Sequence, residues 1–464
     1  MADGISVIMN TEDSTDPSQR TAANDSLFPI PAPPPPEPSP VGPPRLRQAD
    51  RQQVVMRAAS LDSLLPNDHR ARVVWEYVQG LDLAPLYAKI RSVEGRAGRD
   101  ATDPRILLAL WLYATLDGVG SARQLARLCE DHVAYQWICG GVSMNYHTLS
   151  DFRVAHPEFL DDLLTQSVAT LMHEGLVTLD RVAQDGMRVR ASAGAASFRR
   201  RKTLEECQAE AKEQVEALAK ELEEDPASSN RRQDAARRRA ARERSERIQR
   251  ALAELAQVEA KKKDEQEKAK VRVSTTEPEA KVMKMADGGF RPAHNVQFAT
   301  DTDGQVIAGV DVVNVGSDQG QMPPMVEQLE QRYGKTPGEV LVDGGFAKHE
   351  DIETVSTVEA GTKVYAPVPK PKKDSDRDPH QPLPGDSETI AEWRARMGTP
   401  EAKEIYKARA STAECVNAIS RNRGLRQFLV RGSRKVRAVA LWFAIAHNLL
   451  RAVALRAGGC VAAT

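Results

Sequence analysis

Apolar residues recur at intervals of three and four from Leu61 onward. Val73, Val74, Tyr77, Val78 and Leu81 form one such stripe, and Asp103-Pro104 opens another over Ile106 to Leu116 as N-cap and first helical residue. Asp117-Gly-Val-Gly turns the chain and Ser121 caps Ala122 to Cys129. A further stripe lies around Ala134 to Ile138, and the run from Pro157 to Glu174 closes an all-helical region. The period then drops to two. Alternation predicts strands over 182–189, 295–300, 306–313, 339–343 and 363–366, with helices over Met322 to Tyr333 and 348–358 between the later ones. That order of elements predicts a mixed α/β sheet.

Two further features shape the domain plan. Residues 1–52 lack periodicity and contain Pro31-Ala-Pro-Pro-Pro-Pro-Glu-Pro-Ser-Pro, so a disordered tail is expected. Between the first and second strands, Leu204, Ala211, Val215, Leu218 and Leu222 mark one helical stripe in a highly charged segment. Asp225-Pro-Ala-Ser-Ser-Asn marks a turn, and Ile248, Leu252, Leu255 and Val258 mark a second stripe. The expected plan is a tail (1–52), an all-helical region (53–178), a sheet domain (179–200 and 273–455) and an inserted helical hairpin (201–272). The hairpin reads first as a solvated coiled-coil arm, with DNA gripping or dimerisation as the other reading. A Pro- and Lys-rich linker, Pro367 to Pro384, precedes a helix restarting at Thr399-Pro400.

The 464 residues are 41% hydrophobic and only 5% aromatic, enough for two or three domains with cores built mainly from Leu, Val, Ile and Ala. The most apolar stretch, Ala438 to Leu455, is interrupted by His447, Asn448 and Arg451, which argues against a membrane span. The N-terminus has no secretory pattern, so a cytoplasmic, nucleoid-associated location is expected. Five scattered cysteines without a Cys-x-x-Cys pair point to reduced thiols and no zinc site. The net charge of −1 hides an uneven distribution: residues 421–456 hold nine Lys or Arg and no acid, a local basic patch suited to phosphate.

Three carboxylates stand where metal-assisted phosphoryl chemistry would need them, because Mg²⁺ prefers hard oxygen ligands that can converge from distant elements. Asp185 lies in the first strand, Asp343 ends the fourth, and Glu414 sits on a late helix. Each has an ordinary reading as well. Asp185-Gly186 suits a hairpin turn, Asp343-Gly344-Gly345 a strand-ending turn, and Ser411-Thr-Ala-Glu414 a capping box. Arg421 falls two turns after Glu414 on the same helix face, and Tyr406 and Arg409 precede it if helix runs on from Pro400. His294 reads as structural. No phosphate-binding Gly-Lys loop, serine elbow or zinc-protease helix occurs.

Taken in order, these segments resemble the DDE-type transposases of bacterial insertion sequences, whose catalytic domain is ribonuclease-H-like. The likeness spans about residues 55–455. It rests on Asp103-Pro104 through Tyr113, His147-Thr-Leu-Ser-Asp-Phe-Arg153, Gln184-Asp185-Gly186 and Ser274-Thr-Thr-Glu-Pro-Glu-Ala. It continues through His294-Asn-Val-Gln297, Val342-Asp343-Gly-Gly-Phe346, the Tyr406, Arg409, Glu414, Arg421 set and Ala446-His-Asn-Leu-Leu-Arg451. The resemblance implies that Asp185, Asp343 and Glu414 bind two Mg²⁺ ions, with Mn²⁺ as a substitute, and that Tyr406, Arg409, Arg421 and Arg153 contact DNA. It implies cutting at terminal inverted repeats and joining of 3′-OH ends to target DNA, without a nucleotide cofactor or a membrane. The partners are then double-stranded DNA and, in synapsis, at least a second copy. Ile106 to Leu116 with Ser121 to Cys129 is the implied end-recognition pair, with packing alone as the other reading. Departures are Met187 in place of Thr or Ser, His294 in place of Tyr, and one extra residue between Arg409 and Glu414. A nuclease of the same fold, or an inactive DNA-binding relative, would share much of this pattern.

Overall fold

The computed structural model describes residue 52 and residues 58–95, 99–224, 231–356, 361–371 and 377–458. The expected disordered tail, the turn at 225–230 and part of the 367–384 linker lie outside the described residues. So does Cys460; Cys129, Cys139, Cys207 and Cys415 are free thiols.

The described residues between 59 and 173 are mainly helical, as the three-and-four spacing predicts. The helices are α1 (Arg70–Gln79), α2 (Pro104–Leu116), α3 (Ala122–Asp131), α4 (Val133–Cys139), α5 (Tyr146–Ala155) and α6 (Pro157–His173), with a short turn of helix over 84–87. Asp103 caps α2 by accepting the Arg105 N–H at 2.8 Å, and Ser121 caps α3 through Gln124 N–H. Every residue from Leu107 to Leu116 is buried, so α2 is a core helix with no free face. Helix α3 differs: Leu125 and Cys129 are buried while Arg123, Gln124 and Arg127 face solvent.

The sheet contains β1 (Arg181–Arg190), β2 (Lys281–Lys284), β3 (Phe290–Asp301), β4 (Ile307–Val313), β5 (Glu339–Leu341) and β6 (Lys363–Tyr365). β1 is central, antiparallel to β3 on one side and parallel to β5 on the other. β4 and β2 pair with successive halves of β3, both antiparallel, and β6 lies parallel outside β5. Asp185 pairs with Phe298 in mid-ladder, so Asp185-Gly186 is strand and not a hairpin turn. The parallel joins are made by α9 (Met322–Tyr333), between β4 and β5, and α10 (His349–Ser356), between β5 and β6, since parallel neighbours need a crossover.

Between β1 and β2 the chain makes the charged arm, α7 (Arg201–Glu224) and α8 (Arg231–Ala260). Arg201 pairs with Glu259, Arg244 with Glu210 at 3.2 Å and Arg237 with Glu221 at 3.9 Å, an order that only antiparallel helices allow. Such exposed pairs contribute at most about 1 kcal/mol each. The apolar anchor is at the root, where Leu204, Ala251, Leu255 and Val273 pack together and Phe198–Arg199 pairs with Val273–Ser274.

After β6 come α11 (Glu388–Gly398), α12 (Pro400–Arg409), a π-helical turn (Ala410–Glu414), α13 (Cys415–Asn422) and α14 (Ser433–Arg456). α14 is long and apolar enough to cross a membrane, yet 72% of its apolar window is buried inside the protein. The three polar interruptions seen in the sequence serve this burial. His447 Nε2 is 2.8 Å from the Gln305 carbonyl, the Asn448 amide bonds both backbone groups of Ile307, and Arg451 donates to the Gly304 carbonyl. They fasten the β3–β4 turn to the last helix. The main core runs without a break from α1 and α2 through α14 to β1, β3 and β4, and a second core surrounds β5, β6 and α10–α12.

Burial holds the His447 imidazole neutral, with its pKa lowered to about 4. A depressed histidine pKa means stability that is complete above the unfolded value near 6.5 and lost as pH falls toward 4. We expect His447→Gln, which keeps an N–H donor, to remove about 3 kcal/mol of the stability loss between pH 6.5 and 4. Urea unfolding of both proteins across that range checks this; identical pH profiles would refute it.

Candidate active site

Asp185 projects from the middle of β1 toward the C-terminal helices. Its Oδ1 accepts the Gly186 N–H at 2.9 Å and its Oδ2 accepts Asn417 Nδ2 at 3.0 Å. Burial pushes the Asp185 carboxyl above the usual range, and Asp343 adds to this, while Arg409 and the two hydrogen bonds oppose it. Asp343 follows β5 and is half-buried; its Oδ1 accepts the Gly345 N–H at 2.8 Å. Asp343 is thus both a turn-former and a carboxylate at the end of a parallel strand, where ligands of open α/β sheets gather.

Glu414 reaches this neighbourhood on an unbroken helical path. Chain 400–422 is helical throughout, so Ser411 is no cap; its hydroxyl donates to the Ala408 carbonyl at 3.1 Å. The π turn at Ala410–Glu414 takes up one residue more than α geometry would, which absorbs the extra residue between Arg409 and Glu414. The two side chains remain neighbours: Arg409 Nη1 is 2.9 Å from Glu414 Oε1. Gln305 Nε2 donates to the Ser411 carbonyl at 3.0 Å, tying the π turn to the β3–β4 turn.

Arg409 is the centre of the group. It is buried, hydrogen-bonded to Tyr406, paired with Glu414 and within electrostatic range of Asp185 and Asp343. Burial alone works against its charge, but Tyr406 and the two aspartates outweigh that and raise its pKa. Burial likewise raises the Tyr406 phenol. The structure therefore brings together Asp185, Asp343, Glu414, Tyr406 and Arg409. Arg421 lies two turns past Glu414, exposed, and lines a cleft that reaches Gly186.

Arg153 lies apart. It is 8% exposed, stacks over Trp111 at 4.8 Å and donates to the Gly120 carbonyl. Burial lowers its pKa to about 10, leaving it charged at neutral pH. Its cation is engaged in packing within the helical region.

Three residues near the site were not singled out from sequence. Asn417 follows Glu414 by three and so shares its helix face, a signal that was available. Gln297, by contrast, appeared only as part of a motif, although alternation places it with Asn295 on one face of β3. Asp318 sits in an aperiodic loop and gives no such signal. It is buried, accepting from Asn295 Nδ2 at 2.7 Å, Gln297 Nε2 at 2.8 Å and Arg188 Nη2 at 3.0 Å. Gly186 makes room for it: a Cβ there would fall 2.2 Å from Asp318 Oδ1.

The donor set suits a hard divalent cation in kind. Asp185, which Asp343 faces electrostatically, adjoins Asn417, whose buried Oδ1 has no partner. Glu414, however, is turned to Arg409, and among the described residues no group of three His, Cys, Asp or Glu stands close enough to hold a metal.

Two family models match the chain, a transposase domain (DUF772) over residues 59–155 and a transposase DDE domain over residues 380–453. The first covers most of the helical region; the second carries Tyr406, Arg409, Glu414 and Arg421, while Asp185 and Asp343 lie outside both. No curated protein and no solved structure matches. The two matched domains indicate a transposase. Within that class they support an insertion-sequence transposase of the DDE type.

Replacing Gly186 by Ala forces a methyl against the Asp318 carboxylate. We expect Gly186→Ala to cost about 1–3 kcal/mol. Chemical denaturation measures it, and an unchanged midpoint would show that the loop yields freely.

Proposed function

We propose that this protein cuts DNA at the terminal inverted repeats of its insertion sequence and joins the freed 3′-OH ends to target DNA. The observation that carries the reading is the approach of Asp185, Asp343 and Glu414, from three separate elements, to one arginine. The sheet supports it. Three antiparallel strands β4, β3 and β1 followed by parallel β5 and β6, with the arm entering after the first strand, are compatible with the ribonuclease-H-like domain of this reading.

In this reading Asp185, Asp343 and Glu414 would hold divalent ions, Mg²⁺ or Mn²⁺, which would supply Lewis acidity for phosphodiester chemistry. Asn417 orients Asp185 through its amide. Arg409 balances the carboxylates and pairs with Glu414, and Tyr406 stays beside the guanidinium, which would meet the DNA strand. Arg421 meets the same strand from the next turns of helix. Helix α3, with Arg123 and Arg127 outward, is the recognition element of the helical region, and α2 supports it from the core. Arg153 holds that pair in place. Two copies synapse the two ends, in the cytoplasm where the DNA lies.

The test incubates the purified protein with labelled DNA carrying the element's ends and a supercoiled target, with Mg²⁺ or EDTA, beside Asp185→Ala. Metal-dependent joined products, absent in the variant, are expected. Cleavage without joining would reduce the activity to that of a nuclease, and binding without either product would leave a DNA-binding protein.

A further inference from the structure

The arm divides its charge between its two helices. α7 carries eight acids against four Lys or Arg, whereas residues 231–250 of α8 carry nine Arg, three acids and no Lys. Part of that excess is answered within the fold: Arg237 meets Glu221, Arg244 meets Glu210, Arg247 meets Glu243 and Arg250 meets Glu279. Arg238, Arg239 and Arg242 make no ion pair among the described residues, and Glu246, one turn beyond Arg242, pairs with none of them. Arg239 and Arg242 are exposed, and Arg238 commits Nε alone, to the Asp234 carbonyl at 3.3 Å. Arg242 stands four residues after Arg238 and three after Arg239, so it neighbours both on the helix surface. The apolar residues of the arm, among them Leu204, Ala211, Ile248 and Leu255, are buried, and no large apolar side chain of the arm is exposed among the described residues.

We infer that this turn of α8 grips the sugar-phosphate backbone of double-stranded DNA. Three adjacent cations without carboxylate partners call for a partner carrying several negative charges. Guanidinium forks match phosphate oxygens, and a face kept for solubility alone needs no exclusion of Lys. A second copy would find no exposed apolar stripe on the arm to pack against. Sixteen residues separate Arg239 from Leu255 at the root, about 24 Å of helix at 1.5 Å per residue. The contact therefore stands out from the body of the protein. The inference rests on the reading of the protein as a DNA enzyme and adds a second place at which it holds the duplex.

The test measures binding of the full-length protein to a fluorescein-labelled duplex of about 60 base pairs carrying the element's end, in EDTA and over a range of salt. The arm variant combines Arg238→Gln, Arg239→Gln and Arg242→Gln, a change that leaves helix propensity nearly untouched. It should lower the salt slope by about two to three and weaken binding about tenfold or more at roughly 0.1 M salt. A body variant removes the same charge through Arg291→Gln, Lys335→Gln and Arg456→Gln, each taken from an existing ion pair, and should keep the wild-type slope. Wild-type slope and affinity in the arm variant, or an equal loss in the body variant, would overturn the arm contact alone. Altered self-association of the arm variant by light scattering, with DNA binding intact, would do the same and assign the turn to a second copy. Failure of the wild type to bind the duplex would overturn the contact together with the DNA-enzyme reading.

Discussion

The interaction on which the rest depends is the burial of α14. Fourteen of its 24 residues are removed from solvent, among them Trp442, Phe443, Ile445 and Leu449, and each large apolar side chain contributes about 1.5–3 kcal/mol by that removal. The helix is buried on several sides at once, against α2, α5 and α6 and against β4. It therefore joins two segments that lie far apart in the chain. Trp442 Nε1 donates to the Arg153 carbonyl at 2.9 Å, and Arg437 pairs with Asp161 at 2.9 Å. The helical region and the sheet are held to a common support, and the β3–β4 turn is fastened to the same helix through His447, Asn448 and Arg451.

From that support the arrangement of charge at the site follows. The β3–β4 turn carries Gln305, which meets the helix with its carbonyl and the π turn with its side chain. A π turn leaves helical carbonyls poorly paired, and the Gln305 amide satisfies one of them at Ser411. The turn in turn aligns Arg409 with Glu414 despite the additional residue. A guanidinium in a crowd of carboxylates lowers their mutual repulsion, so without a bound cation the group remains electrostatically balanced. The Gly186 side of β1 shows the same economy, where a missing side chain admits Asp318 to two amides and an arginine.

Much of the architecture was legible because its signals are local. Alternation marked β1, β4, β5 and β6 to within two residues but began β3 five residues late, and Asp103-Pro104 marked the start of α2. The two stripes in the charged segment marked both helices of the arm. The short strand β2 was missed, since four residues with Val282 exposed carry little alternation. Ser411-Thr-Ala-Glu414 suggested a cap because a capping box and a helix interior look alike until the preceding residues are known to be helical. The hydropathy of α14 understated its role, because His447, Asn448 and Arg451 register as polar while their partners are backbone groups across the fold. Arg153 was legible as a motif member but not as a buried cation, which depends on Trp111 lying beneath it. Asp318 and the grouping of carboxylates around Arg409 belong to tertiary structure alone.

The root of the arm has a consequence for variation. Phe198–Arg199 and Val273–Ser274 bring the two ends of the excursion together before it leaves the body, so the sheet meets a fixed junction whatever the excursion contains. Loop-closure entropy grows only slowly with length. The 201–272 stretch can then lengthen or shorten at little entropic cost to the sheet from which it springs.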